Sequence, residues 1–437
     1  YWGGTNWKWG TGAVSFNVQN LTFNEQALAR QALHAWSTVA NLTFSEVFTG
    51  GQMVFNSADT GTDANSAYAN FGGSAGFITS ATVNIGNGWM NSYYNAATQF
   101  YNYAFQTYVH EIGHALGLGH QGNYNGSAVY DSSNNFANDS WQFSVMSYFG
   151  QDRYNYNGAG SSYLYVSGPM QADILAMLDK YGAATAANHY FGDAASALPE
   201  YSVAGGVRAF TMFSPDGWVG LDSSTYGGAQ TINMNALQFS STRGNLNNIG
   251  NYSNMSYYNG GSGVDDITLA TTVATGADNR VFGNGGADIF RSSGGSDHCL
   301  VDGGAGSDTY ARAATQLTNV AFHHTSQSQN GWVIGTGSGS DTLFNIETAS
   351  FFDGTKTLRA DARADLTADG SSDVIWYNAA AGAVNYWDMD NGSVSSWNLA
   401  GVVSNTWAAT FSGDVNGDGG ADILFRRGSD GAIGFLK

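Results

Sequence analysis

One cysteine, Cys299, occurs in 437 residues. A lone thiol rules out an intramolecular disulfide framework, so stability must come from packing or bound metal. Cations are scarce as well: 15 Lys plus Arg stand against 34 Asp plus Glu, for a net charge of −19. That balance argues against nucleic acid as a partner, because such affinity rests on cationic contacts to phosphate. No apolar run approaches membrane-spanning length, and no charged-then-apolar leader is visible. The chain begins at Tyr1 and reads as trimmed, with any export signal removed or lying beyond Lys437. Charged residues make up only 11% of the chain, against roughly 25% in ordinary soluble domains.

What is abundant is glycine, 59 residues, alongside the surplus of carboxylates. Bound calcium would account for both. The length suggests two to four domains, and three stretches of different character are visible. Residues 1–185 mix helix and strand. "AVSFNV" (13–18) alternates as a half-buried strand does, and "QMVFN" (52–56) and "ATVNI" (81–85) are further short strands. Thr22 and Glu25 form a capping box that opens a helix with the apolar stripe Leu28, Ala32, Ala35, Trp36 and Val39. A second helix runs through Phe105, Tyr108 and Val109, and a third starts at Pro169 and ends at Gly182.

Residues 186–358 lose helical periodicity. "GGSGVDDIT" (260–268), "GNGGADIFR" (283–291) and "GGAGSDTYA" (303–311) are copies of one nonapeptide, with Asn284 replacing a glycine in the middle copy. Such repeats predict a parallel β-roll in which Asp265, Asp288 and Asp308 face calcium and the apolar residue two positions later points inward. Cys299 occupies an apolar slot of a degenerate copy and is expected to be a small buried hydrophobe. Residues 359–437 hold a second duplication, "DLTADGSSDVIW" (365–376) and "DVNGDGGADILF" (414–425). Alternating oxygen donors around a mid-loop glycine suit a hard cation, so Asp365, Asp369, Asp373, Asp414, Asn416, Asp418 and Asp422 are further calcium candidates. The fold class expected is therefore multi-domain: an α/β (α+β) domain, an all-β parallel β-roll or sandwich, and a small β repeat module resembling an incomplete propeller.

The chemistry is concentrated in "HEIGHALGLGH" (110–120). His110 and His114 lie four apart and share a helix face. Gly117 permits a left-handed turn that ends the helix and returns His120 to the same ion. Three nitrogen ligands with an open fourth position make a catalytic zinc site. The metal would bring the pKa of its water towards neutrality, and Glu111 would take the proton. "FSVMSYF" (143–149) supplies Met146, matching the methionine turn beneath the metal in metzincins. His34, beside Trp36, is expected to be structural.

The run of "ALHAWSTVANLTFSEV" (32–47), "YVHEIGHALGLGH" (108–120), "FSVMSY" (143–148) and "GPMQADILAMLDKYG" (168–182) resembles the serralysin family of bacterial secreted metzincin proteases. "GSGSDTLFNIETASFFDG" (337–354) resembles the close of that family's repeat block. The resemblance implies one catalytic zinc, several structural calcium ions, and Tyr148 as a phenolic zinc ligand that swings away to stabilise the tetrahedral intermediate. It also implies protein or peptide substrates, a monomer, an extracellular location reached by signal-independent export, and "ATVNI" as the edge strand that receives the peptide. Gln121 departs from the family's usual proline, and the tail from about 360, which resembles FG-GAP/VCBS repeats, departs from its usual plan. The alternative function is calcium-dependent binding or surface attachment, with a cell-surface or glycan ligand on the tail and a secondary or inert protease domain.

Overall fold

The computed structural model describes all residues except 1–5, 131–135, 154–159, 195–196, 204–205, 273–278, 294–297, 325–330, 337–338, 359–363, 368–371, 391–392, 414, 416–420 and 437. The chain divides into two compact units, Tyr1–Ser292 and Ser293–Lys437.

The first unit opens with a mixed sheet: β1 (Lys8–Trp9), β2 (Ala13–Asn20), β3 (Thr43–Glu46), β4 (Met53–Asn56), β5 (Ala67–Ser74) and β6 (Phe77–Ile85). β3, β2, β4 and β6 lie side by side in parallel, β1 joins the start of β6, and β5 alone runs antiparallel, on β6. The expectation that residues 81–85 form the edge strand is corrected here. β6 is interior, and the edge belongs to β5, "AYANFGGS". Alanine and glycine carry little strand propensity, which hid β5 in the sequence.

Helices α1 (Phe23–Ser37) and α3 (Tyr103–Ala115) pack together against this sheet, and the short α2 (Asn87–Tyr93) precedes α3 and touches it. The stripe expected on α1 is its core face, with Leu28, Ala32, Ala35 and Trp36 all at 0% exposure. The capping pair is present, the Thr22 amide donating to Glu25 at 2.7 Å. Trp36 locks the two helices by donating its indole N–H to the Val109 carbonyl at 2.9 Å. Another helix, Gln171–Tyr181, begins two residues after Pro169 rather than at it. Asp173 sets that start by accepting the Met170 amide at 2.9 Å.

From Tyr190 the unit becomes two stacks of short strands, largely parallel, with Gln230–Asn233, Phe239–Thr242 and Asn245–Asn251 pairing antiparallel. Tyr190–Gly192, Gly220–Asp222, Tyr257–Asn259 and Asn279–Phe282 form one stack, in which Phe191, Leu221, Tyr258 and Val281 share a register and are buried. Gln230–Asn233, Asp265–Thr268 and Ile289–Arg291 belong to the other, with Ile232, Ile267 and Phe290 aligned and buried. Parallel strands with an alternating inner face stack one apolar rung on the next. Asn284 takes the left-handed conformation of the glycine it replaces, φ 67°. Its amide donates to the Gly260 carbonyl at 2.6 Å and ties one turn to the preceding one.

In the second unit Cys299–Asp302 pairs in parallel with Gly339–Phe344, and Thr309–Arg312 with Thr348–Phe351. Tyr310 and Cys299 are buried, as their positions in the repeat require. The tail forms two three-stranded antiparallel sheets, Val374–Asn378 with Ala383–Asp390 and Ser393–Val402, and Trp407–Gly413 with Asp422–Arg427 and Ile433–Leu436. Val384, Ile423 and Phe425 form the core between them.

Candidate metal centre

α3 carries His110, Glu111 and His114 in its last two turns. The helix stops because Gly117 adopts φ 86°, and a side chain there would also meet the Trp7 carbonyl. The freed C-terminal carbonyls are not wasted: Trp9 donates to Ala115 at 3.1 Å and Tyr181 to Leu116 at 2.8 Å. With the chain turned back, the metal-facing nitrogens of His110, His114 and His120 lie within 4.8 Å of one another.

Each imidazole is oriented from behind. His110 Nδ1 bonds the Val145 carbonyl, His114 Nδ1 the Leu118 carbonyl and His120 Nδ1 the Tyr124 carbonyl, all at 2.8 Å. A carbonyl only accepts, so each Nδ1 carries the proton and each Nε2 presents a lone pair. The His114 and His120 Nε2 atoms are 3.0 Å apart. Two lone pairs facing at that distance repel unless a cation lies between the rings. Burial pushes all three imidazoles down, His114 to about 4, and their proximity adds to this for His110 and His114. The lowering favours the neutral imidazole, the form that can offer a lone pair to a metal. Neutral nitrogen donors with one position left over fit zinc.

Glu111 is 6% exposed, and burial pushes its carboxyl up to about 8 despite a bond from the Ala69 amide. Its Oε2 has no hydrogen-bond partner among the described residues. An adjacent dication would favour the ionised form and give that oxygen a role.

The floor is the segment 144–149. Met146 is fully buried beneath α3, and a side chain on Gly113 would collide with its sulfur at 2.5 Å. Asp173 holds this segment, accepting from Ser144 Oγ at 2.6 Å and from the Val145 amide at 2.7 Å. Tyr148 faces the cluster, its ring centroid 4.4 Å from that of His120 and 5.9 Å from that of His110. Its hydroxyl accepts from the Gly126 amide at 3.4 Å. Gln121 occupies the expected proline position and donates to the Asn138 carbonyl at 3.0 Å, closing the intervening loop.

Two cavities meet at Glu111 and Tyr148. One, of about 500 Å³, has walls of Trp89, Tyr103 and Trp141. The other, about 340 Å³, is bordered by Tyr68, Phe71, Leu118 and Tyr124. Ala67 of β5 borders both, so the edge strand runs along the cleft. Every expected zinc-site residue is thus in one place: His110, Glu111, His114, Gly117, His120, Met146 and Tyr148. Sequence reasoning missed Tyr124, Asp139 and Asp173, which act through tertiary bonds that no local motif announces.

The calcium candidates lie elsewhere. Asp265 is buried and its carboxyl is raised by burial; it accepts from the Gln230 amide at 3.0 Å and the Tyr258 hydroxyl at 2.8 Å. Asp288 accepts the Asp265 amide at 2.7 Å, and the Asp308 amide donates to Glu347. Asp365 is buried. Asp373 accepts the Leu366 amide at 2.8 Å, and Asp422 accepts the Val415 amide at 2.9 Å. Asp369, Asp414, Asn416 and Asp418 lie outside the described residues. His34 bonds Glu200 at 2.9 Å, a structural role as expected.

The Matrixin model of the M10 peptidases matches residues 8–144. Over 294 residues the chain is 30% identical to metallopeptidase AprA of Pseudomonas marginalis, covering 64% of this chain and 57% of that one. It is 34% identical to serralysin C of Dickeya chrysanthemi over 270 residues, 58% and 54% of the two chains. Serralysin of Proteus mirabilis is 31% identical over 277 residues, 57% and 55%. The chain spans little more than half the length of these relatives. Among solved structures, myroilysin aligns with 41% of this chain and 88% of its own, at 18% identity and a TM-score of 0.26.

Proposed function

We propose that residues 1–185 form a zinc-dependent endopeptidase that hydrolyses peptide bonds in proteins. The observation that carries this reading is the set of three histidines with Nδ1 committed and Nε2 converging, beside the unpartnered oxygen of buried Glu111. His110, His114 and His120 would hold the zinc, with the Tyr148 phenol as a further oxygen donor, and the ion would supply Lewis acidity to the scissile carbonyl and the attacking water. Glu111 takes the proton of that water and returns it to the leaving amine. A carboxyl lifted by burial, with one oxygen fixed by the Ala69 amide, suits a group that must both accept and give a proton. Tyr148, whose hydroxyl among the described residues is held by the Gly126 amide, would turn it to the developing oxyanion. β5 offers its outer edge to an extended peptide, whose side chains enter the cavities on either side of Glu111. Glu111→Gln tests the reading: it should retain zinc and lose about 10²–10⁴-fold in peptide hydrolysis. An undiminished rate would sink the assignment.

The reading extends to an extracellular monomer whose Asp265, Asp288 and Asp308 turns, and whose acidic loops at 365–373 and 414–422, bind calcium. Metal analysis for zinc and calcium per chain, with circular dichroism before and after chelation, checks this. A β signal of the full chain indifferent to chelation would remove calcium from the account.

One observation favours the alternative of a binding protein. Trp376, Trp387 and Trp397 lie on one sheet of the tail with ring centroids 4.5–5.4 Å apart, and Trp397 is 69% exposed. An exposed aromatic group of this kind suits a glycan or cell-surface ligand. Surface binding retained by Glu111→Gln but lost on Trp397→Ala would support it.

A further inference from the structure

We propose that Tyr124 is a positioning residue that sets Tyr148 against the third histidine of the cluster. The proposal rests on the endopeptidase reading for its kinetic consequences and on geometry for the rest.

Tyr124 touches both partners twice. Its backbone carbonyl takes the His120 Nδ1 proton at 2.8 Å, and its ring stacks on that imidazole with centroids 5.4 Å apart. Its phenol oxygen accepts the Tyr148 amide at 3.2 Å, and the two tyrosine rings lie 4.8 Å apart. The same hydroxyl donates to Asp139 Oδ1 at 2.8 Å. Asp139 is 0% exposed, and its Oδ1 also accepts from Ser147 Oγ at 2.7 Å. One buried carboxylate therefore fixes Tyr124 and the residue preceding Tyr148 together. On the far side, the Phe149 amide donates to Ser147 Oγ at 3.1 Å, and the Trp141 amide to the Phe149 carbonyl at 2.8 Å.

The Tyr148 backbone is thus pinned on both sides, whereas its hydroxyl has a single bond, of 3.4 Å, among the described residues. A side chain that must change partners during a reaction needs this division: a fixed pivot and a loosely held tip. Tyr124 supplies the pivot and refers it to His120, so the phenol of Tyr148 turns about a point fixed relative to that histidine. Both bonds of the Tyr124 hydroxyl are to the protein, one to Asp139 and one from the Tyr148 amide.

Tyr124→Phe removes the hydroxyl alone, leaving the ring and the carbonyl on His120. In the full chain, the Tyr148 amide should exchange hydrogen at least about tenfold faster in Tyr124→Phe, since its acceptor is gone. Zinc per chain should be unchanged. Against a quenched peptide substrate, kcat should fall about tenfold with KM within about twofold. In a Tyr148→Phe background the same substitution should cost less than about twofold in kcat, because its effect passes through the Tyr148 hydroxyl. Asp139→Asn, a milder change, should move exchange and kcat in the same direction by about threefold. Unchanged amide exchange in Tyr124→Phe, or an undiminished kcat penalty when Tyr148 is already phenylalanine, would overturn the proposal. The exchange measurement decides the brace whatever the fate of the endopeptidase reading.

Discussion

The histidine cluster and the aspartate turns both bury polar side chains, yet they treat their donor atoms in opposite ways. In the cluster, backbone carbonyls take the Nδ1 proton of each imidazole, and the other nitrogen is left facing its neighbours. At the Asp265 turn the protein spends the carboxylate on itself, through the Gln230 amide and the Tyr258 hydroxyl. The second unit goes further: Asp341 accepts from Arg312 at 3.0 Å, from Tyr310, and from the Cys299 amide at 3.1 Å, with Arg312 and Asp341 both at 0% exposure. There a guanidinium is the resident cation. Second bonds that aim a ligand outward build a site for something else. Bonds that consume the ligand build the fold.

The largest effect expected from breaking this contrast is at Arg312. Arg312→Met leaves Asp341 buried without its cation and should cost about 3–5 kcal/mol, whereas adding Asp341→Leu should recover most of it. Denaturant unfolding of the three proteins checks this, and equal stability of the single and double variants would count against a resident-cation role. Next comes Gly117→Ala, which forces a side chain into a left-handed position and against the Trp7 carbonyl. It should cost about 1–3 kcal/mol and weaken zinc binding through His120, read by competitive chelation. Asp265→Asn should cost about 1 kcal/mol in chelator through the weakened Tyr258 and Gln230 bonds. A carboxylate retains lone pairs beyond those bonds, so the cost should grow when calcium is added. Thermal unfolding in both conditions distinguishes a calcium ligand from a carboxylate that serves only the fold.

The smallest effect belongs to His34, whose pKa is raised chiefly by its bond to Glu200, with burial opposing. A raised imidazole contributes stability that is complete below its unfolded pKa of about 6.5 and is lost as pH rises through the folded value. His34 is 46% exposed at its side chain, so solvent screening limits the contribution to about 0.5 kcal/mol. A shallow loss of stability from about pH 6.5 upward, absent in His34→Gln, is the expected result.

Much of the centre was legible in "HEIGHALGLGH" and "SVMSY", because helix periodicity and one glycine turn settle where those side chains go. The inner positions of the roll were legible for a similar reason: Ile267, Phe290 and Tyr310 follow from a fixed repeat. Two features were not. β5 sets only Tyr68 and Phe71 among alanine, asparagine, glycine and serine, and its place against β6 and α3 makes it a strand. Tyr124, Asp139 and Asp173 looked like loop and helix polar residues, and their value lies in partners up to 29 residues away. Local pattern locates ligands more readily than it locates what holds them.

The tail has a consequence of another kind. The bond from the Leu366 amide to Asp373 recurs as the bond from Val415 to Asp422, displaced by 49 residues. The two copies are also joined to each other, because the Ala421 amide of the second donates to the Asp365 carbonyl of the first. Val384, Ile423 and Phe425 share one core across the two sheets. Neither copy is a detachable part, so deleting one should loosen the other.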